Sequence, residues 1–313
     1  MLAIAGCGSS NPGSDPDASS GDGSPGDGQP GDGPPIGDAP PDPCDPGVWC
    51  TEDSPVPNVL LSAVWAANLN DVFAVGDNGT VLHRRDNVWT ALTIPTTEDL
   101  RGVGGVSATD LWVTGTNGAV FHYDGETFTP RGSFAADIHA VWAAASNDVW
   151  ISGKQLASHW NGSQFTTTAL AGEVLSISGS APNDVWATGE SAKVDHFTTS
   201  WQTGIDPGAG ATYFAVLALP GEAWVSTFAP NSETLRFTGS WTPHDTDGAV
   251  FHSFHGIASD DIWAAGSTKV GHWDGSSWTT EAPAGNMVQL FGIGGIGSSI
   301  WVVGSNSLIL HHR

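Results

Sequence analysis

Apolar residues in this chain come in short runs of strand length, each ended by glycine, asparagine or aspartate. In Asn70–Gly76, Val72 and Ala74 fall on one face of an extended segment, Phe73 and Val75 on the other. The next run, Thr80–Arg84, follows Asp77-Asn78-Gly79, a sequence suited to a tight hairpin turn. Apolar spacing of three or four residues, the mark of a helical repeat, is absent from this pattern. The unit of strand, glycine turn and strand then recurs. It returns at Thr109–Gly115, Asn147–Gly153, Asn183–Gly189 and Asp260–Gly266, with weaker copies at Glu222–Trp224 and Ser299–Gly304.

With Asp71 as phase mark, the copies fall at 71, 110, 148, 184, 222, 261 and 299, so the period is 36 to 39 residues. Four strands fit each period; in the first copy they are 61–66, 72–75, 80–84 and 88–93. A period near forty with short β-type segments predicts an all-β, seven-bladed β-propeller with four-stranded antiparallel blades. Large aromatics recur on the second strand (Phe73, Trp112, Trp150, Trp186, Trp224, Trp263, Trp301) and on the fourth (Trp89, Phe128, Phe165, Trp201, Trp241, Trp278). A residue held at one phase in every copy is expected to pack between blades. By the same reasoning His83, His122, His159, His196, His272 and His311, all on the third strand, are structural, and the phase-mark aspartates accept nearby backbone N–H groups. The last copy stops at Arg313 after its third strand. Gly47-Val48-Trp49-Cys50-Thr51-Glu52 matches the fourth strand Ser276-Ser277-Trp278-Thr279-Thr280-Glu281. Residues 47–53 are therefore expected to be the outer strand of the last blade and to close the ring.

Formal net charge is −24, from 9 basic and 33 acidic residues, which excludes a phosphate-neutralising nucleic-acid binder. No apolar run approaches the ~20 residues of a membrane-spanning helix. No phosphate loop, Ser/His/Asp motif or metal-spaced His/Cys set is visible, so no cofactor, no metal site and no catalytic residue are assigned.

Ile4-Ala5-Gly6-Cys7 resembles the lipobox of bacterial lipoprotein signal peptides. The resemblance implies lipidation of Cys7, a lipid-anchored extracytoplasmic protein and, with Gly8 next, outer-membrane sorting. Only a short apolar stretch precedes Cys7, and a signal needs a basic segment and a longer apolar core; an upstream extension of the reading frame is expected. The chain then divides into 1–7 (truncated signal), 8–43 (Gly/Pro/Asp-rich tether, disordered by composition) and 44–313 (propeller). In an exported chain Cys44 and Cys50 are expected to form a disulfide.

The units resemble bacterial β-propeller repeats of Asp-box or kelch type, Asn-Asp-Val-Trp-Ala-x-Gly followed by His272-Trp273-Asp274-Gly275-Ser276-Ser277-Trp278. The resemblance implies architecture and leaves function open. Function is sought where copies differ. Nine residues before the phase mark stand Ser62, Arg101, His139, Leu175, Tyr213 and His252, with Phe291 aligned in the last copy. Arg101, His139, Tyr213 and His252 are predicted to form a polar rim at one mouth of the central channel. The fifth copy lacks the aspartate, and long loops near it carry Asp206, His244, Asp245 and Asp247 as further candidate ligand-binding residues. The expected function is a monomeric, non-catalytic, surface-displayed binding or scaffold protein with a protein or glycan ligand. The alternative is a carbohydrate-active enzyme, a glycoside hydrolase or lyase, using those acids.

Overall fold

The structure, a computed structural model, describes residues 44–208, 212–228, 233–285 and 287–313. Cys7 and the segment 8–43 lie outside the described residues. The chain opens with β1 (Cys50–Thr51). The first copy supplies β2 (Leu61–Ala66), β3 (Val72–Gly76), β4 (Thr80–Arg85) and β5 (Val88–Leu92); the second, β6 (Leu100–Ser107), β7 (Asp110–Gly115), β8 (Val120–Tyr123) and β9 (Phe128–Pro130). The third and fourth copies run through β10 (Ile138–Ala145), β11 (Asp148–Trp160), β12 (Phe165–Ala181), β13 (Asp184–Gly189), β14 (Val194–Phe197) and β15 (Trp201–Ile205). The fifth holds β16 (Thr212–Leu219), β17 (Glu222–Phe228), β18 (Glu233–Phe237) and β19 (Trp241–Asp245). The sixth holds β20 (Ser253–Ala258), β21 (Asp261–Gly266), β22 (Lys269–Trp273) and β23 (Trp278–Glu281), and the last β24 (Leu290–Ile296), β25 (Ser299–Gly304) and β26 (Ile309–His312).

All sheets are antiparallel. The expectation of seven separate four-stranded blades is corrected: counted as hydrogen-bonded sheets there are six, five of four strands and one of six. The third and fourth copies share the large sheet because two expected loops do not interrupt the ladder. β11 passes through the site of the expected hairpin at Gly153–Leu156, with Gln155 at φ 61°. β12 serves both halves: Phe165–Ala169 and Glu173 pair with β11, and Val174–Ala181 pairs with β13. Gly172 sits in the unpaired step between Ala169 and Glu173 at φ +73°, a conformation that glycine adopts without a Cβ clash, and lets the strand bend without leaving the sheet.

The first strands of the copies, β2, β6, β10, β12, β16, β20 and β24, contact one another in that order, and β24 returns to β2. The ring is tight at that seam. A Cβ at Gly294 would stand 2.5 Å from the Val64 carbonyl oxygen. β1 pairs with β26 through Cys50↔His311 and Thr51↔Leu310, so the two chain ends share the sheet β1-β26-β25-β24. The closing strand is shorter than the expected 47–53, and backbone bonds from Gly47 to Arg313 and from Glu52 to Ile309 extend its pairing.

The core lies between neighbouring copies, where flat aromatics fill the wedge. Trp150 meets Trp201 of the next copy edge-on at 5.5 Å, Trp186 meets Trp241 at 6.1 Å, and Trp224 meets Trp278 at 6.0 Å. Trp263 finds the corresponding partner in Trp49, at 6.0 Å, beside the closing strand. The third-strand histidines stack on these rings, as His196 does on Trp186 at 3.8 Å. Five of them offer Nε2 to the phase-mark aspartate of their own copy: His83 to Asp71 (2.8 Å), His122 to Asp110 (2.8 Å), His159 to Asp148 (2.7 Å), His196 to Asp184 (2.8 Å) and His272 to Asp261 (2.9 Å). The aspartate's main partner is thus an imidazole rather than the expected backbone amides. In the fifth copy Glu222 and Arg236 replace the pair: Arg236 bonds Glu222 and lies over Trp224 at 5.3 Å. In that copy the aspartate–histidine pair is replaced by a glutamate–arginine pair.

Candidate functional site

The inner strands share a device. Register shifts skip Ser62 in β2, Arg101 in β6, His139 in β10, Leu175 in β12 and Phe291 in β24. A bulge leaves one residue out of the ladder and re-aims its side chain. His252, just before β20, bonds the Ala265 carbonyl that also faces Ser253, and holds the same place. These six residues line one cavity of about 410 Å³ in the middle of the ring.

Tyr213 is not at this rim. It is fully buried, packed with Trp186, Val194 and Val225, and the bulge in β16 falls after it, at Phe214, whose ring meets the rim residue His252. The reason is a second bulge near the other end of β6, β10, β12 and β20, which β16 and β24 lack; β2 lacks it too, but its turn to β3 carries the extra residue instead. Counting nine back from Glu222 therefore lands one residue too far.

The rim has two chemically distinct arcs. On the polar arc, Arg101 lies 3.5 Å from Asp99, and His139 bonds Glu173 at 2.7 Å. Nearby, burial and the Asp99 charge both push the Asp77 carboxyl up. On the aromatic arc, Phe291 stacks on His252 at 6.0 Å, His252 meets Phe214 at 5.3 Å, and Phe214 meets Phe228 at 5.8 Å. Phe228 is 55% exposed. Burial drives the His252 pKa down, so its ring acts as a neutral member of this arc.

Below the rim the wall is built by close approach. The ring of Trp142 lies against Gly179, where a Cβ would come within 2.6 Å. Leu217 lies likewise against Gly256 (2.7 Å), and His255 against Gly295 (3.2 Å). His255, which the sequence reading did not single out, lines the cavity and has no partner for Nε2 among the described residues. Burial lowers its pKa to about 4. Hydroxyls tie inner strands together: Ser176 and Ser178 accept from Val216 N and Ala218 N, each at 3.1 Å.

The acidic candidates gather elsewhere. Asp206 pairs with Lys193 at 2.5 Å, which holds its carboxyl low. His244, Asp245 and Asp247 line a groove of about 370 Å³ with Trp273 and Trp278, and Asp206 is not part of it. Asp247 lies 3.5 Å from Lys269. His244 packs on Trp224 and Trp273, and burial, with Arg236 nearby, lowers its pKa. The three acids expected to act together are thus split. Cys44 and Cys50 are disulfide-bonded, with Cα atoms 5.5 Å apart.

No family model and no curated protein matches the chain. Solved structures do. YCF48 bound to a D1 peptide superposes with a TM-score of 0.69 at 12% identity, covering 86% of this chain and 98% of that one. Virginiamycin B lyase from Staphylococcus aureus gives 0.73 at 13%, covering 84% and 98%. The WD40 β-propeller domain of Doa1 gives 0.70 at 14%, covering 84% and 94%. At such identities the likeness is one of fold, and the fold is that of a β-propeller.

Proposed function

We propose that this protein is a non-catalytic binding propeller that receives an extended segment of a protein partner across the mouth of its central cavity. The observation that carries the reading is the divided rim: Arg101 and His139 on one arc, and Phe291 and His252 on the other, continued outward by the rings of Phe214 and Phe228. The aromatic arc accepts apolar or aromatic side chains; Arg101 offers a guanidinium to a carboxylate or backbone carbonyl. Laid end to end the three ring contacts reach at most roughly 17 Å, so the aromatic arc spans no more than about five extended residues. The peptide on the YCF48 propeller supports this choice of partner over a glycan. The rival reading, a carbohydrate-active enzyme, keeps only Asp245 and Asp247 in one groove: Asp206 is outside it, paired with Lys193, and Asp247 faces Lys269. We place the protein outside the cytoplasm, anchored by lipid on Cys7, on the strength of the lipobox resemblance.

A random-peptide display library selected against the full chain tests the reading, with a glycan array run beside it. Selected peptides are expected to lose tenfold or more in affinity on Arg101→Ala or Phe291→Ala, about 1.4 kcal/mol each. Peptides that bind both variants undiminished, or an array that yields ligands where the library yields none, overturn it.

A further inference from the structure

Cys44, Cys50 and His311 come from opposite ends of the chain, yet their ligand atoms all lie within 4.8 Å of one another. The closing strand brings them together, since Cys50 is the direct register partner of His311. Cys44 and His311 are buried, while Cys50 is half-buried on an edge strand and opens the cluster to solvent. Behind the imidazole stands a carboxylate: Glu52 Oε1 is 3.0 Å from His311 Nδ1. Metal-binding histidines characteristically turn one ring nitrogen to such a carboxylate, which fixes the tautomer and makes the other nitrogen a better ligand. The ring is further held by stacking on Trp301 at 4.3 Å. Two sulfurs, one imidazole and an orienting acid are the donor set that suits a soft or borderline cation.

We propose that, in its reduced form, this cluster is a thiolate–imidazole site for a thiophilic divalent cation, Zn²⁺ being the reference case. The disulfide and the metal are alternative states of the same sulfurs. A dithiol or phosphine reductant supplies two electrons and the sulfurs take up two protons. A dithiol gives up its own two protons and leaves as its disulfide; a phosphine leaves as its oxide, with water supplying the oxygen and the two protons; the two thiol protons are released when the cation binds. With three protein ligands, the fourth tetrahedral position falls to solvent. The disulfide ties the segment before β1 to β1 itself, and the metal, through His311, would tie both to β26, under opposite redox conditions. This inference is independent of the rim reading.

The test uses the full chain carrying Cys7→Ser, so that no third thiol contributes. It is reduced with a phosphine and titrated anaerobically with Co²⁺, then Zn²⁺. The expected result is one Co²⁺ per chain with thiolate-to-cobalt charge transfer and tetrahedral ligand-field bands, displaced one-for-one by Zn²⁺. Cys50→Ser is expected to abolish the charge-transfer band while circular dichroism stays native. His311→Gln is expected to weaken binding tenfold or more. Because His311 is buried, its variant is read only if folded; zinc-induced recovery of the melting temperature of reduced Cys7→Ser protein supplies a second measure. A folded, reduced protein that binds no Co²⁺, or one whose binding survives Cys50→Ser, overturns the proposal and leaves the cysteines a disulfide staple alone.

Discussion

Replacing Glu52 with alanine strips a buried guanidinium of its counter-ion at the seam of the ring. Arg84 is 1% exposed and gives Glu52 three contacts, from Nε at 3.1 and 3.0 Å and from Nη2 at 2.9 Å. Trp89 Nε1 adds a fourth, at 2.5 Å, and Arg84 also lies over Trp301 at 5.3 Å. Glu52 follows the closing strand, Arg84 and Trp89 belong to the first copy, and His311 and Trp301 to the last, so one carboxylate joins three parts of the chain. Removing one partner of a buried pair typically costs about 3–5 kcal/mol, because the other charge stays desolvated. For a domain of this size that is a fall in melting temperature on the order of 10 °C. Tryptophan fluorescence and circular dichroism against temperature read it. Arg85→Met is the control: Arg85 is 61% exposed and its bond to Asp71 is worth at most about 1 kcal/mol. The pair Glu52→Leu with Arg84→Met is expected to recover much of the loss, since a packed apolar pair needs no counter-ion. Glu52 also adds an acid-sensitive component. Burial works to raise its pKa, but bonds from His311, Arg84 and Trp89 outweigh burial and lower it. Its contribution is therefore present above the unfolded carboxylate pKa and is lost as pH falls through the lower folded value. A Glu52→Ala protein that melts within about 2 °C of the parent would refute the seam's electrostatic role.

Truncation should separate seam from tether: removal of 44–54 is expected to lower the melting temperature sharply, and removal of 1–43 to leave it within error; equal melts would contradict ring closure by β1. His255 predicts a second pH effect. Its folded pKa of about 4 lies below the ordinary 6.5, so the unfolded chain takes the proton first. Its stabilisation is whole above pH ~6.5 and is lost progressively toward pH ~4, on the order of 3 kcal/mol in all. His255→Leu, the residue type of the equivalent Leu217, should flatten urea-denaturation stability across that window; an unchanged slope would count against it. Gly179→Ala places a methyl 2.6 Å from the Trp142 ring and should cost about 1–3 kcal/mol by the same assay, with a neutral result showing that the indole has room to move.

What recurs in the chain was readable from it. The inter-sheet aromatics, the structural histidines and Trp49 as the last copy's outer aromatic all follow from phase, because a position repeated around a ring meets the same neighbour each time. Three things were not readable. The fusion of the third and fourth copies depends on whether β11 and β12 break at their turns, and Gln155 and Gly172 permit continuity where the period suggested loops. The displacement of Tyr213 by Phe214 comes from a bulge absent in β16, which removes one residue of spacing without any mark in the apolar pattern. The meeting of Cys44, Cys50 and His311 is a product of ring closure, and no local spacing encodes it. The fifth copy's Glu222 and Arg236 could have been recognised: an acid at the phase mark and a cation on the third strand stand in the right places.

The bulged rim has an evolutionary and practical consequence. Each of its residues stands outside the ladder that surrounds it, so its side chain is not committed to holding the sheets together. The variety already present there, from serine and leucine to arginine, histidine and phenylalanine, sits on backbones of one shape. Recognition in such a molecule can drift, or be redesigned, one letter at a time around a circle while its folding stability stays put.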